Sequence, residues 1–308
     1  MPSEFWGHTN LFGIRISFRS DHRDALRSAL SVFAKWNCSE QPAQEVSIYV
    51  VLSARDADRT MSSDHVRIHG PHLSIVHNGM ALRANGNRGR GACIFPGRGA
   101  SGGELREAIH TIVLFLVAHA GRTPVHASAI IIGDRAIVMA GRSRSGKSSL
   151  ALAADRAGLP VLSEDSVFIQ TKPSFRVWAL AEAIHLLEAD APGGLAGGIR
   201  VRSGRVKRAL PIANPRRNAD KACLCVIARG ESVRLENIQQ DEAVRALTEA
   251  PEPGFEYYGA HSERAIRAIA AGGCWRLTLS RDPDEAIAAL IAAFSGHSSG
   301  SQSVEPGA

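Results

Sequence analysis

No stretch of this sequence is apolar for long enough to span a bilayer. The most apolar run, Thr111 to Ala118, is bounded by His110 and His119 and falls well short of the ~20 residues a membrane helix needs. Met1 to Ser20 lacks a basic flank followed by an apolar run, so no secretory leader is read there. Cysteine is sparse, odd in number and irregularly spaced: Cys38, Cys93, Cys223, Cys225 and Cys274. That argues against a disulfide scaffold, and Cys223-Leu-Cys225 is too tight and too isolated for a zinc knuckle. Buried free thiols in a soluble, cytoplasmic protein are the expectation, with no membrane partner. His65, His69, His72 and His77 lie close in sequence. They lack an acidic or Cys partner to complete a ligand set and are read as exposed strand histidines. Lysine is also scarce. Only Lys35, Lys147, Lys172, Lys207 and Lys221 occur, so the net charge of +6 is carried by arginine. Such an excess favours anionic partners but is too small to argue for nucleic acid, and nothing resembles a nucleic-acid module. There is no internal repeat, no Ser-His-Asp spacing and no zinc signature.

What is present is ordinary globular material, 308 residues with 44% hydrophobic and 21% charged, enough for two domains. Residues 1–100 read as a small α+β domain. Strands are expected at Phe12 to Phe18 and Val46 to Leu52, and a hairpin at His72 to Arg83 turning on Asn78-Gly79. A helix is expected within Asp21 to Trp36, where Leu26, Leu30 and Phe33 recur at helical spacing. After a glycine-rich linker from Gly97 to Gly103, a helix runs from Glu104 to Ala120, with Ser101 as its cap and Gly121 and Pro124 as stops. Residues 101–294 then read as an α/β core. Two strands, Ala127 to Ile132 and Arg135 to Ala140, join at Gly133-Asp134, and a helix follows from Lys147 to Ala157. Another strand opens at Val161-Leu162 and resumes at Val167 to Ile169. Downstream come a strand at Phe175 to Ala181, a glycine-rich stretch at Gly193 to Gly198, and a charged hairpin from Val201 to Pro211 with Ser203-Gly204 at its tip. A strand at Ala222 to Ala228 and helices at Asp241 to Ala250, Ser262 to Ala271 and Pro283 to Phe294 complete the core. Residues 295–308 are Ser/Gly-rich and expected to be disordered.

The most specific signal is Gly141-Arg-Ser-Arg-Ser-Gly146-Lys147-Ser148-Ser149, a full match to the phosphate-loop pattern between a strand and a helix. Glycines let successive N–H groups turn inward onto phosphates, aided by the helix N-terminus. Gly141, Ser143, Ser145, Gly146, Lys147, Ser148 and Ser149 are therefore candidate nucleotide contacts. Lys147 is expected at the β- and γ-phosphates, and Ser148 as a hydroxyl ligand of Mg²⁺. ATP with Mg²⁺ is the expected pair, because the guanine-reading Asn-Lys-x-Asp segment is missing. Glu164-Asp165 follows Lys147 by one helix and a strand. One acid of such a pair can hold Mg²⁺ and the other can take a proton from an attacking hydroxyl. Arg200, Arg202, Arg205, Lys207 and Arg208 cluster on the charged hairpin. A cation aimed at a γ-phosphate stabilises its transfer, and Lys207 or Arg208 could supply it; a solvated hairpin or an acidic-peptide surface are the other readings. His185, in an apolar run, is read as a core or near-core histidine rather than a catalytic one.

With those residues in place, Val125 to Ile169 resembles the HPr kinase/phosphorylase family. The features are His126 opening a strand, the hairpin Ala127 to Ala140, the loop Gly141 to Ser148 and the acids Glu164-Asp165, with His126 twenty-one residues before Lys147. The first hundred residues do not resemble the N-domain of those enzymes. They look more like small kinases found beside peptide-modification genes, lasso-peptide clusters included, as do Trp178, Ile184 to Asp190 and Gly204 to Pro211. The resemblance implies an α/β phosphate-loop (P-loop) kinase core behind a small α+β N-terminal domain. It implies transfer of the γ-phosphate of ATP to a serine hydroxyl of a protein or peptide, an HPr-like protein or a ribosomal precursor peptide. It implies Glu164 as base, Asp165 as metal partner and His126 as support for the pair. Two departures stand out. The HPr enzymes carry two aspartates where this chain has Glu then Asp, a longer first acid that could move the base role to Asp165, and their glycine-rich phosphorylase signature is missing around Leu180 to Leu187. An ATP hydrolase driving a partner, or a nucleotide-sensing module without turnover, remain alternatives. The oligomeric state and the acceptor stay open.

Overall fold

The structure, a computed structural model, describes residues 4–36, 47–55, 64–96, 102–180, 183–187, 198–202, 205–248 and 255–295. Cys38, the linker residues 97–101 with the cap Ser101, Glu188 to Asp190, the glycine-rich residues 193–197, the hairpin tip Ser203-Gly204 and the tail 296–308 lie outside them. The chain divides into two compact units, one of residues 1–123 with 171–173 and one of 124–170 with 174–308. Among the described residues, no helix is long and apolar enough to cross a membrane.

The first unit is built from β1 (Phe5–Leu11), β2 (Ile14–Ser20), α1 (Arg23–Val32), β3 (Ser47–Arg55), β4 (His65–His69), β5 (His72–His77), β6 (Met80–Asn85), β7 (Arg90–Pro96) and α2 (Gly102–His119). Its sheet runs β1-β2-β3-β7-β6-β5-β4, parallel at β2/β3 and β3/β7. Period-2 alternation sets its faces: Ile14, Ile16 and Phe18 are buried while Arg15 and Arg19 are exposed. The β5/β6 hairpin turns where expected, with both Asn78 and Gly79 at positive φ. The expected boundary at residue 100 is corrected here. Helix α2 belongs to the first unit, because Leu105, Ile109, Ile112 and Leu116 are buried and α2 packs on α1, β6 and β7. The boundary falls at Thr123/Pro124. The histidines of β4 and β5 have local partners: His77 Nδ1 is 2.8 Å from Asp64, an acid the sequence reading passed over, and His65 Nε2 is 3.3 Å from Ser74 Oγ.

The second unit is mixed α/β with a large sheet. Its strands are β8 (Arg122–Ile132, entering from the first unit), β9 (Arg135–Ala140), β10 (Val161–Ser163), β11 (Ser166–Gln170), β12 (Arg176–Ala179), β13 (Ala183–Leu187), β14 (Gly198–Arg202), β15 (Arg205–Pro211), β16 (Asn218–Ala219), β17 (Ala222–Arg229), β18 (Arg234–Asn237) and β19 (Cys274–Leu279). Its helices are α3 (Lys147–Arg156), α4 (Gln240–Thr248), α5 (Gly259–Ala270) and α6 (Pro283–Phe294). The large sheet runs β16-β12-β11-β8-β9-β17-β19-β18, with β10 paired to β8. Strands β9, β17 and β19 are mutually parallel.

Both faces of that sheet are covered, and the sequence alternates accordingly. Ile137, Met139, Cys223, Cys225 and Leu277 point to one core with α3, α6, β13 and β15. Ala136, Val138, Ala140, Leu224 and Val226 point to the other, with α4 and α5. A smaller sheet, β13-β15-β14, contributes Ile184, Leu186 and Leu210 to the first core.

The cysteines of this arrangement are chemically quiet. Cys93, Cys223, Cys225 and Cys274 are buried and unpaired. Burial pushes the Cys93 and Cys223 thiols up to about 12 and raises those of Cys225 and Cys274 as well, so thiolate is suppressed at neutral pH. In native protein at pH 8, a maleimide is expected to leave these four unlabelled, and to label all of them in denaturant. Rapid native labelling of any of the four, read by peptide mass spectrometry, would contradict that packing.

Candidate functional site

The site gathers at the carboxyl end of β9. The chain leaves that buried strand at Gly141, loops, and enters α3 at Lys147. Two glycines fit the loop for different reasons. A Cβ on Gly141 would lie 3.1 Å from Ser145 Oγ and 3.2 Å from the carbonyl of Ile227. Gly146 has φ +111°, which an L side chain rarely adopts, and a Cβ there would lie 2.9 Å from both Arg229 Nη2 and Leu279 Cδ1. Arg229 stands at the end of β17, beside β9. Its guanidinium therefore lies against the loop, a neighbour the sequence reading missed. Ends of parallel strands in an open α/β sheet are where such folds place ligands.

The loop suits an anion. Helix α3 begins with no side-chain cap and no acid in its first turn, so its first N–H groups are available to a negative ligand. Lys147 is buried to 6% exposure and lies over the loop, donating from Nζ to the carbonyls of Gly141 (2.8 Å) and Arg142 (3.2 Å). The hydroxyl of Ser145 is buried with no hydrogen-bond partner, an arrangement that costs about 1–3 kcal/mol unless an acceptor reaches it. Ser143 is exposed and Ser149 half-buried in the first turn of α3.

The acids come from the turn between β10 and β11. The β10 pairing with β8 shifts register between Val161 and Ser163. Ser163 then ties the turn: its Oγ accepts the N–H of Asp165 (3.3 Å) and of Ser166 (3.0 Å) and donates to the carbonyl of Ser166 (2.7 Å). Glu164 and Asp165 consequently diverge. Glu164 is buried at 7% exposure. Its Oε2 accepts a hydrogen bond from Ser148 Oγ at 2.8 Å, and its Oε1 lies 2.7 Å from His185 Nδ1. Asp165, with 31% of its side chain exposed, has Oδ1 3.6 Å from His126 Nδ1. The His126 ring leans on Phe255, with ring centroids 5.5 Å apart.

Adjacent in sequence, the two acids have different neighbours. The acid joined to the loop serine is Glu164; Asp165 is the one beside His126. The reason is the turn: its serine staple sends adjacent side chains in different directions. Ser148 Oγ and Glu164 Oε2 stand side by side, 2.8 Å apart, as two hard oxygens. Among the described residues no group of three or more His, Cys, Asp or Glu could hold a metal. A pair of oxygens suits an ion whose remaining ligands are phosphates and water.

His185 lies near the core, as expected, and also has a partner in the site. It flanks the core, as Ile184 and Leu186 on either side are buried, yet its own ring reaches Glu164. The hairpin cations are also separated. In β15, Lys207 pairs with Leu187 and Ala209 with His185, whereas Arg208 pairs with Leu186 and Leu210 with Ile184. Lys207 therefore shares the His185 face, and Arg208 shares the face whose Ile184, Leu186 and Leu210 enter the core.

No protein-family model and no curated protein sequence matches the chain. A solved HPr(Ser) kinase/phosphatase from Coxiella burnetii is similar at 11% identity and a TM-score of 0.29, over 56% of this chain and 95% of that one. A likeness that slight carries no argument, and the site stands on its own geometry.

Proposed function

We propose that this chain is an ATP- and Mg²⁺-dependent kinase that transfers the γ-phosphoryl group to a serine hydroxyl of a protein or peptide. The reading is carried by one observation: the loop serine and one acid are already joined, Ser148 Oγ to Glu164 Oε2 at 2.8 Å, which leaves the neighbouring acid for other work. In this reading the loop residues and the N-terminus of α3 hold the triphosphate, and Lys147 turns from its carbonyls to the β/γ oxygens. Ser148 and Glu164 would hold Mg²⁺, which when bound offsets the charge of the phosphates. Asp165 accepts the proton of the acceptor serine as the serine Oγ–P bond forms and the bond from the γ-phosphorus to the bridging oxygen of ADP breaks. His126 orients Asp165. A positioned general base is worth ~10²–10⁴ in rate.

The test offers two peptide libraries, one with a fixed central serine and one with alanine there, together with γ-labelled ATP and Mg²⁺. Phosphoserine in the first library alone supports transfer. Equal release of free phosphate with both, and no phosphoserine, would make the chain an ATP hydrolase instead.

The hairpin registers add a prediction. Lys207→Ala is expected to lower transfer ~10²-fold, the scale of one preorganised donor aimed at developing charge. Arg208→Ala is expected to leave turnover close to the parent's, because its side chain is on the other face. Equal losses in single-turnover assays of the two variants would remove Lys207 from the reaction.

A further inference from the structure

Glu164 is held at both oxygens. Ser148 donates to Oε2 at 2.8 Å and His185 Nδ1 is 2.7 Å from Oε1. An ionised carboxylate only accepts, so His185 Nδ1 carries the proton of that bond. The two holds have different origins. Ser148 belongs to the first turn of α3, on the loop itself. His185 belongs to β13, in the separate three-stranded sheet. Its place there is not free to drift: Ile184 is fully buried, Leu186 nearly so, and both are built into the core that also takes Leu150 and Ala154 of α3. Strand alternation then fixes the intervening ring on the opposite face, toward Glu164. The carboxylate, 8% exposed, is clamped between two rigid elements.

We propose that His185 is a positioning residue for Glu164. By holding Oε1 it keeps Oε2 turned to Ser148, so that the pair of oxygens meets Mg²⁺ already oriented. The inference rests on the reading above, in which Ser148 and Glu164 hold the ion. Without the His185 hold, the glutamate must be ordered when the ion binds, and the cost appears in ion affinity rather than in the rate at saturating Mg²⁺. Partners of this kind are worth ~10–100-fold in metal affinity.

Two variants isolate the donor. His185→Leu keeps bulk on β13 and removes the hydrogen bond. His185→Asn keeps an N–H donor near the Nδ1 position. In the full chain, ATP binding is followed by calorimetry as Mg²⁺ is raised, with circular dichroism confirming the fold. The Leu variant is expected to need at least ~10-fold more Mg²⁺ for half-maximal ATP binding, and the Asn variant to recover most of that loss. Where transfer is measured, the Leu variant should approach the parent rate at saturating Mg²⁺. Equal Mg²⁺ demand in the Leu variant, the Asn variant and the parent would overturn the role of His185 and leave the ATP site standing. If the parent itself binds ATP with no dependence on Mg²⁺, the metal reading fails, and the role of His185 fails with it.

Discussion

Lys147→Ala is expected to abolish phosphoryl transfer. The ammonium of Lys147 lies on the loop carbonyls, 2.8 Å from that of Gly141 and 3.2 Å from that of Arg142. A triphosphate entering the loop would meet that charge in a buried setting, where charge-assisted hydrogen bonds are strongest. Alanine removes it and leaves the phosphates without the ammonium that would reach the β- and γ-oxygens. The fold should survive but not untouched, because the side chain is buried at 6% exposure rather than solvent-facing. Losing its hydrogen bonds should cost about 1 kcal/mol, a drop of roughly 2–4 °C in Tm for a domain of this size. Label transfer and a thermal melt check the two halves separately. Full activity in a folded Lys147→Ala protein would displace the site.

The second large effect separates the acids. Asp165→Asn is expected to lower transfer by ~10²–10⁴, the contribution of a general base, while Mg²⁺-dependent ATP binding stays near the parent's. Glu164→Gln is expected to act earlier. It puts an amide where Ser148 and His185 both meet a carboxylate, so ATP binding should need more Mg²⁺ and transfer should fall as a consequence. Mg²⁺ titrations of binding and single-turnover rates at saturating Mg²⁺ tell the two apart. The reverse result, with a rate defect alone in Glu164→Gln and a binding defect in Asp165→Asn, would restore the roles implied by the resemblance to the HPr enzymes.

The parts of this site that could be read in advance are those written in contiguous residues. Strand, loop and helix from Arg135 to Arg156 follow one another in sequence, and glycines, lysine and serine at fixed offsets carry their own conformational requirements. The pair Glu164-Asp165 was visible for the same reason. Their different neighbours were not, because the direction of each side chain depends on Ser163 folding back on the turn and on a register shift against β8. His185 was hidden more deeply. Its flanking Ile184 and Leu186 announced a buried strand, and a histidine between them reads as a bystander until the fold brings β13 to Glu164, twenty-one residues away in sequence. Arg229 gave no signal at all, since only the parallel pairing of β17 with β9 carries it to Gly146. Lys207 and Arg208 are indistinguishable by composition. A register of one residue puts them on opposite faces. Helix α2 was legible as a helix but not as a member of the first unit, because its apolar face matches either sheet until one of them takes it.

In the proposed function, the loop from Gly141 to Ser148 holds a triphosphate together with Mg²⁺, joined through Ser148 and Glu164. Calorimetric titration of the full chain with ATP plus Mg²⁺, ATP plus a chelator, and AMP plus Mg²⁺ tests it most directly. One ATP is expected to bind per chain with Mg²⁺, with much weaker binding when the metal is removed and little binding of AMP, which lacks the β- and γ-phosphates that Lys147 would address. Equal affinity for ATP and AMP, or ATP binding indifferent to Mg²⁺ and unchanged in Lys147→Ala, would contradict it.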